Sequence, residues 1–207
     1  MSFKPTKGLL IKDWKRDVIY LVQFPRTHVI PSPSPFALKL ETWIRMNGLT
    51  YRNVSNELTK GSAKCQIPFI ELNGQQYADT KEIIEHLKNY FKLSIDSNLN
   101  SVERAHLRAY TILIEESCGQ YFRSFDIDWL FTEDGFLSHL DAILFGLLVQ
   151  YTDTPTSETI MPLLEKSAPN LLAFVSLIKK RYWPDWNEIT AKLLLNPEDI
   201  EMKKEQK

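Results

Sequence analysis

The chain has 207 residues, of which 43% are hydrophobic and 25% charged, an ordinary balance for a globular protein with a sizeable core. Its 25 basic and 26 acidic residues leave a formal net charge of -1, so no global field draws in nucleic acid or an anionic surface, and nucleic acid is excluded as an expected partner. The two cysteines, Cys65 and Cys118, are far apart, which argues for free thiols in a reducing, cytoplasmic compartment rather than a disulfide scaffold.

The first 16 residues carry Lys4, Lys7, Lys12, Lys15 and Arg16 around a short apolar core, Leu9 to Ile11. That core is too short for a secretory signal, and the segment reads as a solvated arm. Asp17 to Phe24, "DVIYLVQF", is apolar on both faces, as a central strand of a mixed or parallel sheet must be. The proline-punctuated loop "PRTHVIPSPSP" leads into a helix over 35–47, where Phe36, Leu40, Trp43 and Ile44 share one face. Ser34 fits the N-cap, Pro35 the first helical position and Gly48 the position past the end.

Thr50 to Val54 alternates as a short strand, and "QIPFIEL", "NG", "QQYA" reads as a hairpin on an Asn73-Gly74 turn. Pro68 interrupts the first arm of that hairpin, although proline has no N–H for a ladder and belongs at strand starts, edges or bulges. Asp79, with Glu82 three residues on, has the spacing of a capping box for a helix with Ile83, Ile84, Leu87 and Phe91 on its apolar face. Cys65 reads as a small buried hydrophobe.

After the polar connector "LSIDSNLN" the periodicity is helical: 102 to about 122, 138 to 151, and 163 to 182. Trp183 to Trp186 ends the last helix, Pro184 forbidding its continuation. The tail "PEDIEMKKEQK" is charged, and no apolar run approaches the ~20 residues of a membrane span. The four histidines show no metal-ligand spacing with the cysteines. The chain therefore divides into an arm (1–16), an α/β half (17–92), a helical half (93–196) and a tail (197–207).

Strand, helix, strand, proline-headed hairpin and helix is the order of a thioredoxin-like domain, and the stretches "DVIYLVQFPRT", "SPFALKLETWIRMNGLTY", "IPFIELNG", "LDAILFG" and "RYWPDW" are similar to the failed axon connections family. That family is metaxin-like and belongs to the glutathione transferase superfamily. The resemblance implies a thioredoxin-like domain followed by a helical glutathione transferase-like domain, with Pro68 cis and glutathione as co-substrate. It also implies site residues. Ser34 would stabilise the attacking thiolate at a helix N-terminus, where free N–H groups favour a negative charge. Asp79 and Thr80 would hold the γ-glutamyl end, the Ile67–Pro68 backbone the peptide part, and Arg26 would close over the anionic ligand. The activity implied is conjugation of the glutathione thiol to a small electrophile in a stress response. The alternative is a non-enzymatic adaptor that binds protein, for example in axon development, and either form could be a homodimer.

One departure from the family pattern concerns the helical half. Ser138-His139-Leu140-Asp141 resembles the cap of a buried helix but follows "WLFTEDGF" almost directly, so a segment of the family pattern is missing near 131–138. Ile143, Leu144, Leu147 and Leu148 are nevertheless expected to be buried against the α/β half, because leaving them wet forfeits ~1.5–3 kcal/mol each. Residues 126–137 are expected to form an irregular bridge beside an apolar opening.

Overall fold

A computed structural model describes residues 4–5, 8–56, 60–97, 99–117, 138–155 and 157–191. Four strands form one mixed sheet in the order β3-β2-β5-β6: β2 is Ile19–Gln23, β3 Tyr51–Ser55, β5 Phe69–Leu72 and β6 Gln75–Ala78. β2 runs parallel to β3 and antiparallel to β5, and β5 pairs antiparallel with β6. A second, two-stranded pairing joins β1 (Lys4–Pro5) to β4 (Lys60–Gly61). Two helices complete the α/β half: α1 (Pro35–Met46) links β2 to β3, and α2 (Thr80–Phe91) follows β6.

The local signals explain these elements. Ser34 Oγ accepts from the Ala37 N–H at 3.3 Å with Pro35 in the first turn, and Asn73 and Gly74 both have positive φ, 49° and 80°, as a type I′ turn demands. Pro68 stands one residue before β5, so its missing N–H costs no ladder bond, and the Ile67–Pro68 peptide is cis. The expected capping box at α2 is half made: Asp79 accepts from the Lys81 and Glu82 N–H groups. The Glu82 carboxylate turns instead to Lys64 Nζ, 2.6 Å away.

Every residue of β2 is buried, because both faces of the sheet are covered. On one face Ile19, Leu21, Ile70 and Leu72 pack with Leu40, Trp43 and Ile44 of α1 and Ile83, Ile84 and Leu87 of α2. On the other face the N-terminal arm docks at Leu9 to Ile11, which departs from the expectation of a solvated arm, whereas Lys12 to Arg16 are exposed as expected. Leu10 packs against Val22, Phe69 and Ala78, the Lys15 N–H donates to Tyr20 Oη at 2.9 Å, and the Asp17 N–H donates to Asn73 Oδ1 at 2.8 Å. The lysines of the arm masked its docking, which depends on backbone donors and a few apolar side chains.

Among the described residues five helices follow: α3 (Ser101–Ser117), α4 (His139–Thr152), α5 (Ser157–Ser167), α6 (Pro169–Tyr182) and α7 (Trp186–Ala191). The single helix expected over 163–182 is two helices. Pro169 opens α6, and a residue before proline is pushed out of the helical region; Ala168 accordingly has φ -152°. A further short helix, α7, begins at Trp186 within the expected stop.

Helix α4 is apolar all round, and Leu140 through Val149 are buried without interruption, as suits a helix with neighbours on every side. Ile143, Leu144, Leu147 and Leu148 are among its buried residues, as expected. The capping box at its start is complete: Ser138 Oγ accepts from the Leu140 N–H, and Asp141 Oδ2 accepts from the Ser138 N–H at 2.6 Å. Its closest approach is to α1, where a Cβ on Gly146 would lie 2.7 Å from both Pro35 O and Lys39 N. Between sheet and α4, α1 is buried from Ala37 to Ile44; Phe36, assigned to its apolar face from the sequence, is instead exposed. The expected bridge and opening at 126–137, the Cys118 thiol and the charged tail lie outside the described residues.

Candidate functional site

Register places the expected ligand residues. Val22 pairs with Phe69 and Phe69 with Ala78, so Pro68 and Asp79, one step beyond that row, stand on adjacent chains at the same end of the sheet. The same sheet edge receives the end of β2. Because α1 returns the chain to a strand parallel to β2, the start of α1, with Ser34, is at that edge as well.

Each candidate has a distinct environment. Ile67 is half-buried, and no hydrogen bond to its N–H is formed among the described residues. Asp79 is half-buried with φ 74° and ψ 116°, a conformation that costs a non-glycine residue ~1–3 kcal/mol. Its carboxylate occupies the Lys81 and Glu82 donors at 2.9 and 3.3 Å, so those two N–H groups are not available to a ligand anion. The Thr80 hydroxyl, half-buried beside it, has no hydrogen-bond partner among the described residues. Ser34 is 7% exposed. Because its oxygen accepts from Ala37, its own O–H remains a donor.

Arg26 is the clear correction. It turns inward, its two terminal nitrogens meeting the Glu41 carboxylate at 2.7 and 2.6 Å and a third bond running to Pro31 O at 3.1 Å. It is therefore spent on an internal carboxylate and not placed to close over a ligand. Burial pushes the Glu41 carboxyl up, but the Arg26 hydrogen bonds and charge outweigh that and hold it below the usual carboxylate range. Cys65 is a second correction. It is exposed, with φ 57°, because the chain turns tightly there: the Cys65 N–H donates to Ser62 O at 2.8 Å and the Ser62 N–H to Gln66 O at 3.0 Å.

Sequence reasoning missed the charged network around Glu41. Glu41 also accepts from Gln23 Nε2 at 2.6 Å and Tyr51 Oη at 2.8 Å, and lies 3.5 Å from Arg45. Arg45 reaches the helical half, meeting both Asp185 oxygens at 2.6 and 2.9 Å and Tyr182 O at 3.0 Å while stacking 4.0 Å over Trp183. Thus "FPRT", "LKLE" and "RYWPDW" meet in one ionic chain, buried at Arg26 and Glu41 and partly exposed at Asp185, that joins the two halves. The loop before Ser34 is fastened to the helical half at two further points: His28 Nδ1 lies 3.3 Å from Thr190 O, and Gln150 Nε2 donates to Ser32 O at 3.3 Å. A buried glutamate among the apolar positions of a helix was the one available signal, since a charge there demands a partner.

Residues 35–125 match the family described as the glutathione S-transferase N-terminal domain. The failed axon connections protein of Drosophila melanogaster is 27% identical over 261 aligned positions, covering 89% of this chain and 62% of that protein. Those positions outnumber the 207 residues of the chain, so the alignment opens gaps in it. Isoprene-epoxide glutathione S-transferase of Rhodococcus sp. strain AD45 is 30% identical over 91 residues, 42% of this chain and 38% of that enzyme. The chain thus spans less than two thirds of either relative. Among solved structures, glutathione transferase Omega 3C from Trametes versicolor superposes with TM-score 0.59 at 11% identity, over 92% of this chain and 91% of that one. Rice GST1, solved in complex with glutathione, gives 0.58 at 14% identity over 88% and 94%. At those identities the structures speak for the fold, thioredoxin-like plus helical, and the N-terminal family match and the Drosophila relative show what the chain is similar to: glutathione transferases and the failed axon connections protein.

Proposed function

We propose that the protein binds glutathione at the sheet edge formed by Ile67–Pro68, Asp79 and Thr80, and conjugates its thiol to a small electrophile. The observation that supports this reading is the Val22–Phe69–Ala78 register, beyond which the chain continues to Pro68 and Asp79 at the same end of the sheet. Thr80 offers a hydroxyl to the γ-glutamyl carboxylate, Asp79 a negative charge to the γ-glutamyl ammonium, and Ile67 a backbone N–H to the peptide part. The Ser34 O–H donates to the thiolate sulfur, favouring the ionised form that attacks the electrophile.

Among the described residues no helix is long and apolar enough to cross a membrane, and the activity is proposed for a reducing, cytoplasmic setting. Retention of the full chain on immobilised glutathione, with elution by free glutathione, tests binding. A conjugation assay with a chromogenic electrophile tests chemistry: Ser34→Ala should lower the rate by far more than the factor of ~5 that matches the ~1 kcal/mol of a lost cap. The burial of Ser34 favours the second reading, a non-enzymatic adaptor of metaxin-like type. It is selected if the column does not retain the protein and Ser34→Ala changes only stability.

A further inference from the structure

Glu71 lies in the middle of β5 and is 1% exposed. Strand alternation puts it on the face of Phe69, away from α1 and α2, where a carboxylate needs donors. Three reach it. The Leu10 and Ile11 N–H groups of the N-terminal arm meet Oε1 and Oε2 at 2.8 and 2.9 Å, and Gln76 Nε2 donates to Oε1 at 3.3 Å. Gln76 is its cross-strand partner in β6, and Gln76 Oε1 in turn accepts from the Ala63 N–H at 2.8 Å.

Ala63 belongs to the turn that leads directly into Ile67–Pro68. Ser62 organises that turn, its Oγ accepting from the Lys64 and Gln66 N–H groups at 3.2 and 3.1 Å. The arm holds the same segment a second time, since Lys4 and Pro5 pair with Lys60 and Gly61 immediately before Ser62. Leu10 and Ile67 pack on the same cluster of Val22, Phe69 and Ala78. The backbone proposed to meet the peptide part of the ligand is thus braced by two supports, the Glu71–Gln76–Ala63 chain of hydrogen bonds and the pairing of β1 with β4.

We propose that Glu71 is a positioning residue of the ligand site, fastening the N-terminal arm across the sheet and, through Gln76, fixing the turn that presents Ile67; glutathione affinity then depends on the docked arm. This rests on the glutathione reading above. Glu71→Gln keeps the volume but replaces one acceptor oxygen with an NH₂ facing an N–H donor.

The test compares the full chain with its Glu71→Gln and Leu10→Ser variants by hydrogen exchange of individual amides and by calorimetric titration with glutathione. In Glu71→Gln the Leu10, Ile11, Ala63 and Gln66 amides should exchange at least tenfold faster while those of Leu144 and Leu148 in α4 keep their rates, and the glutathione Kd should rise at least tenfold. Leu10→Ser, which loosens the arm without touching Glu71, should accelerate Ala63 and Gln66 in the same way, and it decides the matter should Glu71→Gln fail to fold. Faster arm amides with unchanged Ala63, Gln66 and Kd would overturn the coupling. So would uniform acceleration that includes α4, which marks general destabilisation. If the unaltered protein takes up no glutathione, the ligand reading fails, while selective acceleration at Ala63 and Gln66 still upholds the bracing role and its absence still refutes it.

Discussion

Gly146→Ala sets two effects of opposite sign against each other. In a helix interior alanine is favoured over glycine by ~1 kcal/mol, so propensity alone makes the substitution stabilising. Packing reverses the sign. The new Cβ would lie 2.7 Å from Pro35 O and 2.7 Å from Lys39 N, against 3.4 Å or more for ordinary contact. Both atoms are backbone in the first turns of α1, so no side-chain rotation relieves the clash. α1 and α4 must separate by about 0.7 Å, a gap that forfeits a quarter to a half of the dispersion energy of the contacts it opens.

Overpacking of this kind costs ~1–3 kcal/mol, with rigid backbone at the upper end. Subtracting the propensity gain leaves a net loss of ~2 kcal/mol. Urea unfolding followed by far-ultraviolet circular dichroism reads it directly: with a slope of ~2 kcal/mol/M the midpoint should fall by ~1 M at unchanged slope. A midpoint that stays put or rises would show that α4 does not meet α1 at this glycine, and with it would go the account of how the start of α1 is held.

Glu41→Gln leaves Arg26 buried without a full counter-charge and should cost ~3–5 kcal/mol in the same assay; a loss under ~1 kcal/mol would mean that the network is solvated. At Asp79, where φ is 74°, Asp79→Ala removes the cap and keeps the positive φ, whereas Asp79→Gly removes the cap but relieves the backbone. The alanine variant should be less stable than the glycine variant by ~1 kcal/mol, both should lose retention on immobilised glutathione, and equal stabilities would show an unstrained backbone. His139 is held neutral by burial and by the charges of Lys39 and Lys88, its pKa pulled down to about 3. Since the unfolded imidazole has a pKa near ~6.5, the unfolded state binds the extra proton between the two values. This contribution is therefore complete above pH ~6.5 and is lost as pH falls toward 3. Thermal unfolding from pH 7 to 4 should show His139→Gln losing less stability on acidification than the unaltered protein, and parallel curves would refute the burial of a neutral ring.

What could be read from the sequence depended on interactions between near neighbours. Ser34 and Ser138 cap helices through N–H groups two or three residues away, the Asn73-Gly74 turn needs only its own two φ angles, and the alternation around β5 declares a hairpin whatever surrounds it. From such signals and a family resemblance the two-part fold was legible, and Ile67, Pro68, Asp79 and Thr80 were singled out as candidate ligand residues. Tertiary structure decided the rest, wherever a side chain takes its partner from far along the chain. Arg26 finds Glu41 rather than a ligand, Arg45 finds Asp185 across 140 positions, and Glu71 collects amides from Leu10 and Ile11 about 60 positions away. A buried charge must be matched by donors or a counter-charge, but nothing in the local pattern says which distant group supplies them. Sequence alone therefore showed that the arm was basic, and only the folded sheet, with one carboxylate on its covered face, determined that the arm is bound.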